Sequence, residues 1–179
     1  LGKIEILARG LKRIVAKLAG HLQPLNLISV NLIVANRNHL VSALTINNFP
    51  FLRKNFLALE MGYRTLKIFE ETVVSSEKDE VLWKELKEFL ESLDYFSEKN
   101  KNYLIPWRTL YFLIQLTKKM GLLPENFENF PVPLEKSFKN FLDKFFKEKT
   151  FNEKIYPVDF PLNYQKVEDQ FRKILLQNY

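Results

Sequence analysis

Few residues of this chain combine the type and the spacing that catalytic chemistry needs. The two histidines, His21 and His39, lack a carboxylate or a second histidine at the spacing of a metal site or a general base. The acid pair Glu70-Glu71 falls at the end of a predicted helix, where a solvated surface explains it. Cysteine is absent, which excludes disulfides, thiolate zinc sites and thiol nucleophiles.

The backbone motifs of common active sites are missing as well. The five glycines are scattered rather than grouped into a phosphate-binding loop, and no serine occupies a nucleophile elbow. We therefore predict a protein that is not an enzyme and that uses no cofactor and no metal. The 179 residues, 46% of them hydrophobic, suit one compact domain or two small ones and exclude an intrinsically disordered chain.

The strongest functional candidate is a run of cations in residues 9–17, here called the basic segment. Residues 1–55 hold eight Lys and Arg residues against a single acid, a net charge of +7, whereas the remainder of the chain carries −1. Mobile cations beside a β surface neutralise the phosphates of a nucleic acid and release its counterions. The predicted DNA-binding residues are Arg9, Lys12, Arg13, Lys17 and Arg37.

The same region favours contact with phosphates over recognition of bases. No aromatic residue lies between Leu1 and Ile46, so a base-stacking platform is not expected there. Two alternatives to DNA binding remain open. The charge is either an uneven solvated surface, or a basic face that binds an acidic protein partner and never DNA.

Two kinds of periodicity predict the elements that position these residues. The first third alternates with period two, which predicts three strands, and Asn36-Arg37-Asn38 predicts a tight hairpin between the last two. The residues predicted to share one side of their strand are Ile4, Ile6 and Ala8 in the first, Ile28, Val30, Leu32 and Val34 in the second, and Leu40, Ser42, Leu44 and Ile46 in the third.

After Pro50 the period becomes helical, with Asp79 among the candidate caps and Gly121 placed to end a helix in the left-handed conformation. The predicted buried stripes are Leu52, Phe56, Leu59, Tyr63 and Leu66; Leu82, Leu86, Phe89, Leu90 and Leu93; Leu110, Leu113, Ile114, Thr117 and Met120; residues 134–145; and Tyr164, Val167, Phe171 and Ile174. The fold class is therefore α+β. A small OB-fold-like β module, incomplete at its N-terminus, spans residues 1–50, and an all-α helical domain spans residues 51–179.

The order of the motifs carries a family resemblance. Gly2-Lys3-Ile4-Glu5-Ile6-Leu7-Ala8-Arg9-Gly10 precedes the basic segment, and Leu18-Ala19-Gly20-His21-Leu22-Gln23-Pro24 follows it. Phe49-Pro50-Phe51-Leu52-Arg53 then enters a long helix, and Gly121-Leu122-Leu123-Pro124 ends a later one. This order resembles the amino-terminal domain and following helices of the RecO recombination mediators, over roughly residues 1–125.

The resemblance implies a fold and a set of partners. It implies an OB-fold with a helical domain, binding and annealing of single- and double-stranded DNA, and contacts with RecR and with the acidic tail of the single-stranded-DNA-binding protein. It implies a role in RecF-type DNA repair in the bacterial cytoplasm, near the nucleoid, and no catalysis. The opening strand of the family would lie before Leu1, so an amino-terminally truncated chain is expected. The four-cysteine zinc module of many relatives has no counterpart here.

The family binds a peptide that ends in Phe and a free carboxylate, and the third predicted helix is the candidate site for such a peptide in this chain. Trp107-Arg108 follows Pro106 at its predicted start, where an arginine beside apolar residues suits a carboxylate; the alternative is a core tryptophan beside a surface arginine. The helix dipole also explains the two lysines at the other end of the helix. The predicted peptide-binding residues are Arg108, Leu110, Ile114, Lys118 and Lys119.

Overall fold

In the part of the chain that the structure describes, a pair of strands is followed by helices. A computed structural model describes residues 3–8, 18–34, 37–73 and 78–122, together with residues 151, 169, 171, 173 and 175. The elements are β1 (Leu27–Ile33), β2 (His39–Asn47), α1 (Pro50–Lys54), α2 (Phe56–Thr72), α3 (Glu80–Glu98) and α4 (Leu104–Lys119). This order confirms the α+β class. Among the described helices, none is long and apolar enough to cross a bilayer.

β1 and β2 pair antiparallel and present two unlike faces. The covered face is half-buried throughout and consists of Ile28, Val30, Leu32, Leu40, Ala43 and Thr45. The open face carries the cross-strand pairs Ser29–Leu44 and Asn31–Ser42, and Asn31 Nδ2 donates a hydrogen bond to Ser42 Oγ at 2.8 Å. The alternation predicted for β1 is confirmed within the strand, but Val34 beyond it is 72% exposed.

The shared side predicted for the third run is wrong, because β2 contains two register shifts. Ser42 lies opposite Asn31 while Leu40 lies opposite Leu32, so Val41 is an extra residue between them. An extra residue on one strand reverses the alternation beyond it. Leu40 therefore belongs to the covered face, whereas Ser42 and Leu44 belong to the open face.

The junction between hairpin and helices is fixed by Phe49 and Arg53. Phe49 has a positive φ of 49°, which is costly for a bulky residue, and its side chain is 1% exposed. Its N–H donates to Asn47 Oδ1 at 2.9 Å. The Arg53 guanidinium donates to the Asn48 carbonyl and the Pro24 carbonyl, each at 2.7 Å. These bonds attach the loop before β1 to the start of the helices.

The stripe predicted for residues 52–66 is confirmed at Leu52, Leu59 and Leu66, which are buried or half-buried against the core, and is wrong at Phe56 and Tyr63. The helix breaks at Asn55, whose side chain accepts a hydrogen bond from the Ala58 N–H at 3.2 Å and caps α2. Beyond the break Phe56 is 81% exposed and Tyr63 is 41% exposed. The buried side of α2 consists of Ala58, Met61, Gly62, Thr65, Ile68 and Thr72. Small residues are thus part of the buried side of α2, beside large ones such as Met61 and Ile68, and a pattern built on large apolar residues alone does not locate them.

The stripes predicted for α3 and α4 match the core. Every member is buried except Met120, which is half-buried: Leu82, Leu86, Phe89, Leu90 and Leu93 in α3, and Leu110, Leu113, Ile114 and Thr117 in α4. The Phe89 and Phe112 rings stack with their centroids 4.8 Å apart. α4 begins at Leu104, earlier than predicted, because Pro106 lies in its first turn, where no N–H is required.

Polar contacts define the ends of the helices. Asp79 Oδ1 accepts from the Leu82 N–H at 2.8 Å, which confirms the predicted cap. Gly121 has a φ of 68°, and the Leu122 N–H donates to the Thr117 carbonyl at 3.1 Å. The left-handed helix end predicted at Gly121 is therefore confirmed.

The last third of the chain contributes two described core residues. Phe171 and Leu175 are helical and fully buried, four residues apart. Phe171 was predicted and Leu175 was not. Tyr164, Val167, Ile174 and the stripe predicted at residues 134–145 lie outside the described residues.

Candidate nucleic-acid interface

Residues 3–8 lie against the beginning of β2. Leu7 forms an isolated parallel bridge with His39. The Leu7 N–H donates to the Asn38 carbonyl at 2.8 Å, and the Leu7 carbonyl accepts from the Leu40 N–H at 3.1 Å. The first predicted strand is thus a single bridge within residues 3–8, although Ile4, Ile6 and Ala8 are half-buried as the alternation predicts.

The bridge is parallel, so the chain from Leu7 to Ala8 runs in the same direction as β2 from His39. On the Arg37 side of the bridge lies Glu5, whose carbonyl accepts from Asn38 Nδ2 at 3.2 Å. Arg37 is exposed and lies two residues before His39, the partner of Leu7. Ala8 follows Leu7 and directly precedes Arg9, the first cation of the basic segment. Arg9, Lys12, Arg13 and Lys17 lie outside the described residues. The chain therefore enters the basic segment alongside the start of β2, and Arg37 lies in the turn that precedes this strand.

Two other cations of the first third, Arg53 and Lys3, have structural partners. Arg53 also donates to Asn26 Oδ1 at 2.7 Å, in addition to the two carbonyls at the junction. Lys3 Nζ donates to the Glu70 carbonyl in the last turn of α2. These two residues stabilise contacts between segments, so the overall charge of +7 overstates the cations that a ligand can use.

The open face of the hairpin offers a polar track beside Arg37. Ser29 and Asn31 are exposed, and Ser42 is half-buried next to Asn31. Hydroxyl and amide groups of this kind donate to phosphate oxygens. Val41, Leu44 and Ile46 are more than half exposed on β2, at 54%, 65% and 63%. Sequence reasoning missed this exposed apolar set because it assigned Leu44 and Ile46 to one half-buried side.

His21 is a structural residue of the covered face. Its Nδ1 accepts from the Thr45 N–H at 3.2 Å and lies 2.8 Å from Thr45 Oγ1. The Nδ1 lone pair is therefore engaged in fixing the loop before β1 to β2. Across the part of the chain that the structure describes, no group of three or more His, Asp or Glu side chains is arranged to hold a metal.

The residues predicted to bind a peptide do not form one surface. Leu110 and Ile114 are fully buried in the core, where a docked peptide cannot contact them. Lys119 Nζ forms an ion pair with Glu85 at 2.9 Å, and Lys118 is exposed at the end of α4. Arg108 lies near the other end of the helix.

Arg108 is buried among aromatic rings, unlike the surface arginine of the alternative interpretation. It is 5% exposed, and its Nε donates to Ser92 Oγ at 3.1 Å. Its guanidinium carbon lies 5.7 Å from the ring centroid of Phe89, 5.5 Å from that of Tyr111 and 5.6 Å from that of Phe151. This geometry is typical of cation–π contacts. Trp107 is in the core, at 1% exposed, as that alternative predicted.

A cavity of about 470 Å³ opens beside Arg108 between α3 and α4. Its lining includes Ser92, Tyr95 and Phe151, together with Glu88 and Glu91. The aromatic rings and the guanidinium suit a carboxylate on an aromatic residue. Three glutamates line the cavity, Glu85, Glu88 and Glu91, and they disfavour an acidic peptide chain by like-charge repulsion.

Replacement of Arg108 by alanine should lower the free energy of unfolding by about 2 kcal/mol, because it removes desolvated cation–π contacts and a buried hydrogen bond. Arg108→Lys is the matched control, since it keeps the positive charge but not the planar guanidinium. We expect it to fall between wild type and Arg108→Ala in urea unfolding. Equal stability of Arg108→Ala and wild type would contradict a structural role for the caged guanidinium.

Comparison with known proteins adds no relative. No family model, no curated protein and no solved structure matches this chain.

Proposed function

We propose that this chain is a non-catalytic nucleic-acid-binding protein whose first third neutralises phosphates with the basic segment and Arg37. The proposal is supported by the excess of cations in residues 1–55 and by the parallel Leu7–His39 bridge, which places Ala8, the residue before the basic segment, alongside the start of β2. Cations grouped in one segment of the sequence suit a phosphate backbone, which carries a charge at every nucleotide.

The hairpin also favours a nucleic acid. Its open face supplies hydroxyl and amide donors at Ser29, Asn31 and Ser42. Arg53 and Lys3 are engaged within the protein. The proposed DNA-binding set accordingly stays Arg9, Lys12, Arg13, Lys17 and Arg37.

On the resemblance to the RecO mediators we propose a biological role. The protein would anneal and bind DNA in recombinational repair and contact RecR and the tail of the single-stranded-DNA-binding protein. For that tail, the accessible parts of the predicted surface are the cavity beside Arg108 and the end of α4, where Lys118 is exposed and Lys119 pairs with Glu85. A five-stranded OB-fold, with strands beyond β1 and β2, belongs to the same proposal.

An electrophoretic mobility shift with a short single-stranded oligonucleotide at low and high salt tests the proposal. We expect a complex at low salt that dissociates as salt rises, since phosphate contacts release counterions. An acidic polypeptide serves as competitor, because the second candidate function is binding of an acidic protein by the same basic face. No complex at low salt, together with direct binding of the acidic polypeptide, would favour that second candidate.

A further inference from the structure

Exposed aromatic rings and lysines meet at one corner of the helical part, which we call the aromatic corner. Here the junction of α1 and α2 faces the turn between α3 and α4. Its residues are Phe51, Lys54, Phe56, Tyr95, Lys99, Lys101 and Tyr103. The rings are 40% exposed at Phe51, 81% at Phe56, 42% at Tyr95 and 37% at Tyr103. Large aromatic groups exposed together on a surface indicate a contact site.

Two sets of hydrogen bonds hold the halves of the aromatic corner together. Asp94 Oδ1, next to Tyr95, accepts from the Phe51 N–H at 2.9 Å and from the Leu52 N–H at 2.8 Å. Asn55 Nδ2, next to Phe56, donates to Asn102 Oδ1 at 2.7 Å. The rings are therefore presented by fixed helix ends, so little conformational entropy is lost when a ligand stacks on them.

Cations accompany the rings. Lys54 Nζ lies 5.9 Å from the Phe51 ring centroid, and Lys101 Nζ lies 5.4 Å from that of Tyr95. Lys99 Nζ pairs with Glu98 at 3.2 Å. A ring with a cation beside it supplies both groups that a nucleotide needs, a flat apolar surface for the base and a positive charge for the phosphate.

The aromatic corner continues the proposed phosphate track. α1 begins three residues after the end of β2. From His39, near Arg37, to Asn47 the strand has nine residues, and it spans about 30 Å at 3.3 Å per residue. The aromatic corner follows the far end of the hairpin, whereas the hairpin itself contains no aromatic residue.

We propose that unpaired bases of single-stranded DNA stack on the aromatic corner while the hairpin and the basic segment hold the phosphates. This inference rests on the proposed function and adds a preference for single strands. Duplex DNA keeps its bases stacked on one another, so the rings have nothing to bind in it. The stacking contacts are tolerant of sequence because every base offers a flat face.

The test uses the double variant Phe56→Ala/Tyr103→Ala, which removes two exposed rings and no charge. Fluorescence anisotropy measures binding of a labelled thymidine oligonucleotide of about 20 nucleotides, long enough to span one site. We expect about tenfold weaker binding to the single strand, unchanged binding to a duplex of the same length, and an unchanged dependence on salt. Trp83→Ala, which removes an exposed ring at the opposite end of α3, should bind the single strand like wild type.

The possible results separate a failure of the proposed function from a failure of the stacking inference. If wild type binds neither DNA, the proposed function fails and this inference fails with it. If wild type binds but the double variant keeps its affinity for the single strand, only the aromatic corner is excluded. Equal reductions in affinity for single strand and duplex would also overturn the inference, because stacking needs unpaired bases. Weaker binding to an acidic peptide with unchanged DNA affinity would assign the aromatic corner to a protein partner instead.

Discussion

Replacement of Lys12, Arg13 and Lys17 together by alanine should flatten the salt dependence of DNA binding. Removal of one cation that neutralises a phosphate lowers the slope of log affinity against log salt by about 0.9 on duplex DNA and about 0.7 on a single strand. We therefore expect the slope to fall by about three on a duplex and by about two on a single strand. Fluorescence anisotropy across a series of salt concentrations measures both slopes.

The matched control removes three other lysines. Lys67, Lys84 and Lys87 lie on α2 and α3, with side chains that are 66%, 75% and 44% exposed. Each pairs with a glutamate one helical turn away. Their triple alanine variant carries the same change in net charge but should keep the slope of wild type. An equal fall in both triple variants would show that only total charge matters.

Phe112→Ala should cost about 3–5 kcal/mol of stability, the range for a large aromatic residue removed from a packed core. Phe112 is 1% exposed in α4, and its ring lies 4.8 Å from that of Phe89 and 6.2 Å from that of Phe69. The substitution therefore leaves a cavity where α2, α3 and α4 meet. Unfolding in urea, followed by circular dichroism, measures the decrease in stability.

Phe56→Ala makes the same chemical change at a surface position. Phe56 is 81% exposed, so we expect a change within about 0.5 kcal/mol. A comparable decrease in the two variants would contradict the exposure of Phe56. Phe112→Ala and Phe56→Ala together therefore test which residues of α2 are buried, where the sequence pattern was wrong at Phe56 and Tyr63.

The order of elements could be predicted because local patterns determine it. Large apolar residues at helical spacing fixed the buried side of α3 and α4, and Gly121 marked the end of α4. The apolar pattern did not predict the features that tertiary contacts determine. At Asn55 a side-chain cap interrupts the helix, and at Val41 an extra residue reverses the faces of β2.

The positive charge of the candidate site could be predicted from the sequence, but the contacts of its residues could not. The excess of cations in residues 1–55 is a property of composition. Two contacts depend on residues that are distant in sequence. Arg53 binds two carbonyls, and Arg108 lies inside an aromatic cage. The aromatic corner could not be predicted from the sequence for the same reason. Its rings come from two segments about 40 residues apart, and only the fold brings these segments together.

Lysine acetylation in the presence and absence of DNA tests whether the first third of the chain contacts the phosphates. Brief treatment with an acetylating reagent, followed by mass spectrometry, reports the accessibility of every lysine in one sample. Phosphate contact by the first third predicts that DNA protects Lys12 and Lys17, while Lys67, Lys84 and Lys87 react at the same rate with and without DNA. Protection of the helical lysines with none at Lys12 and Lys17 would contradict DNA binding by the first third.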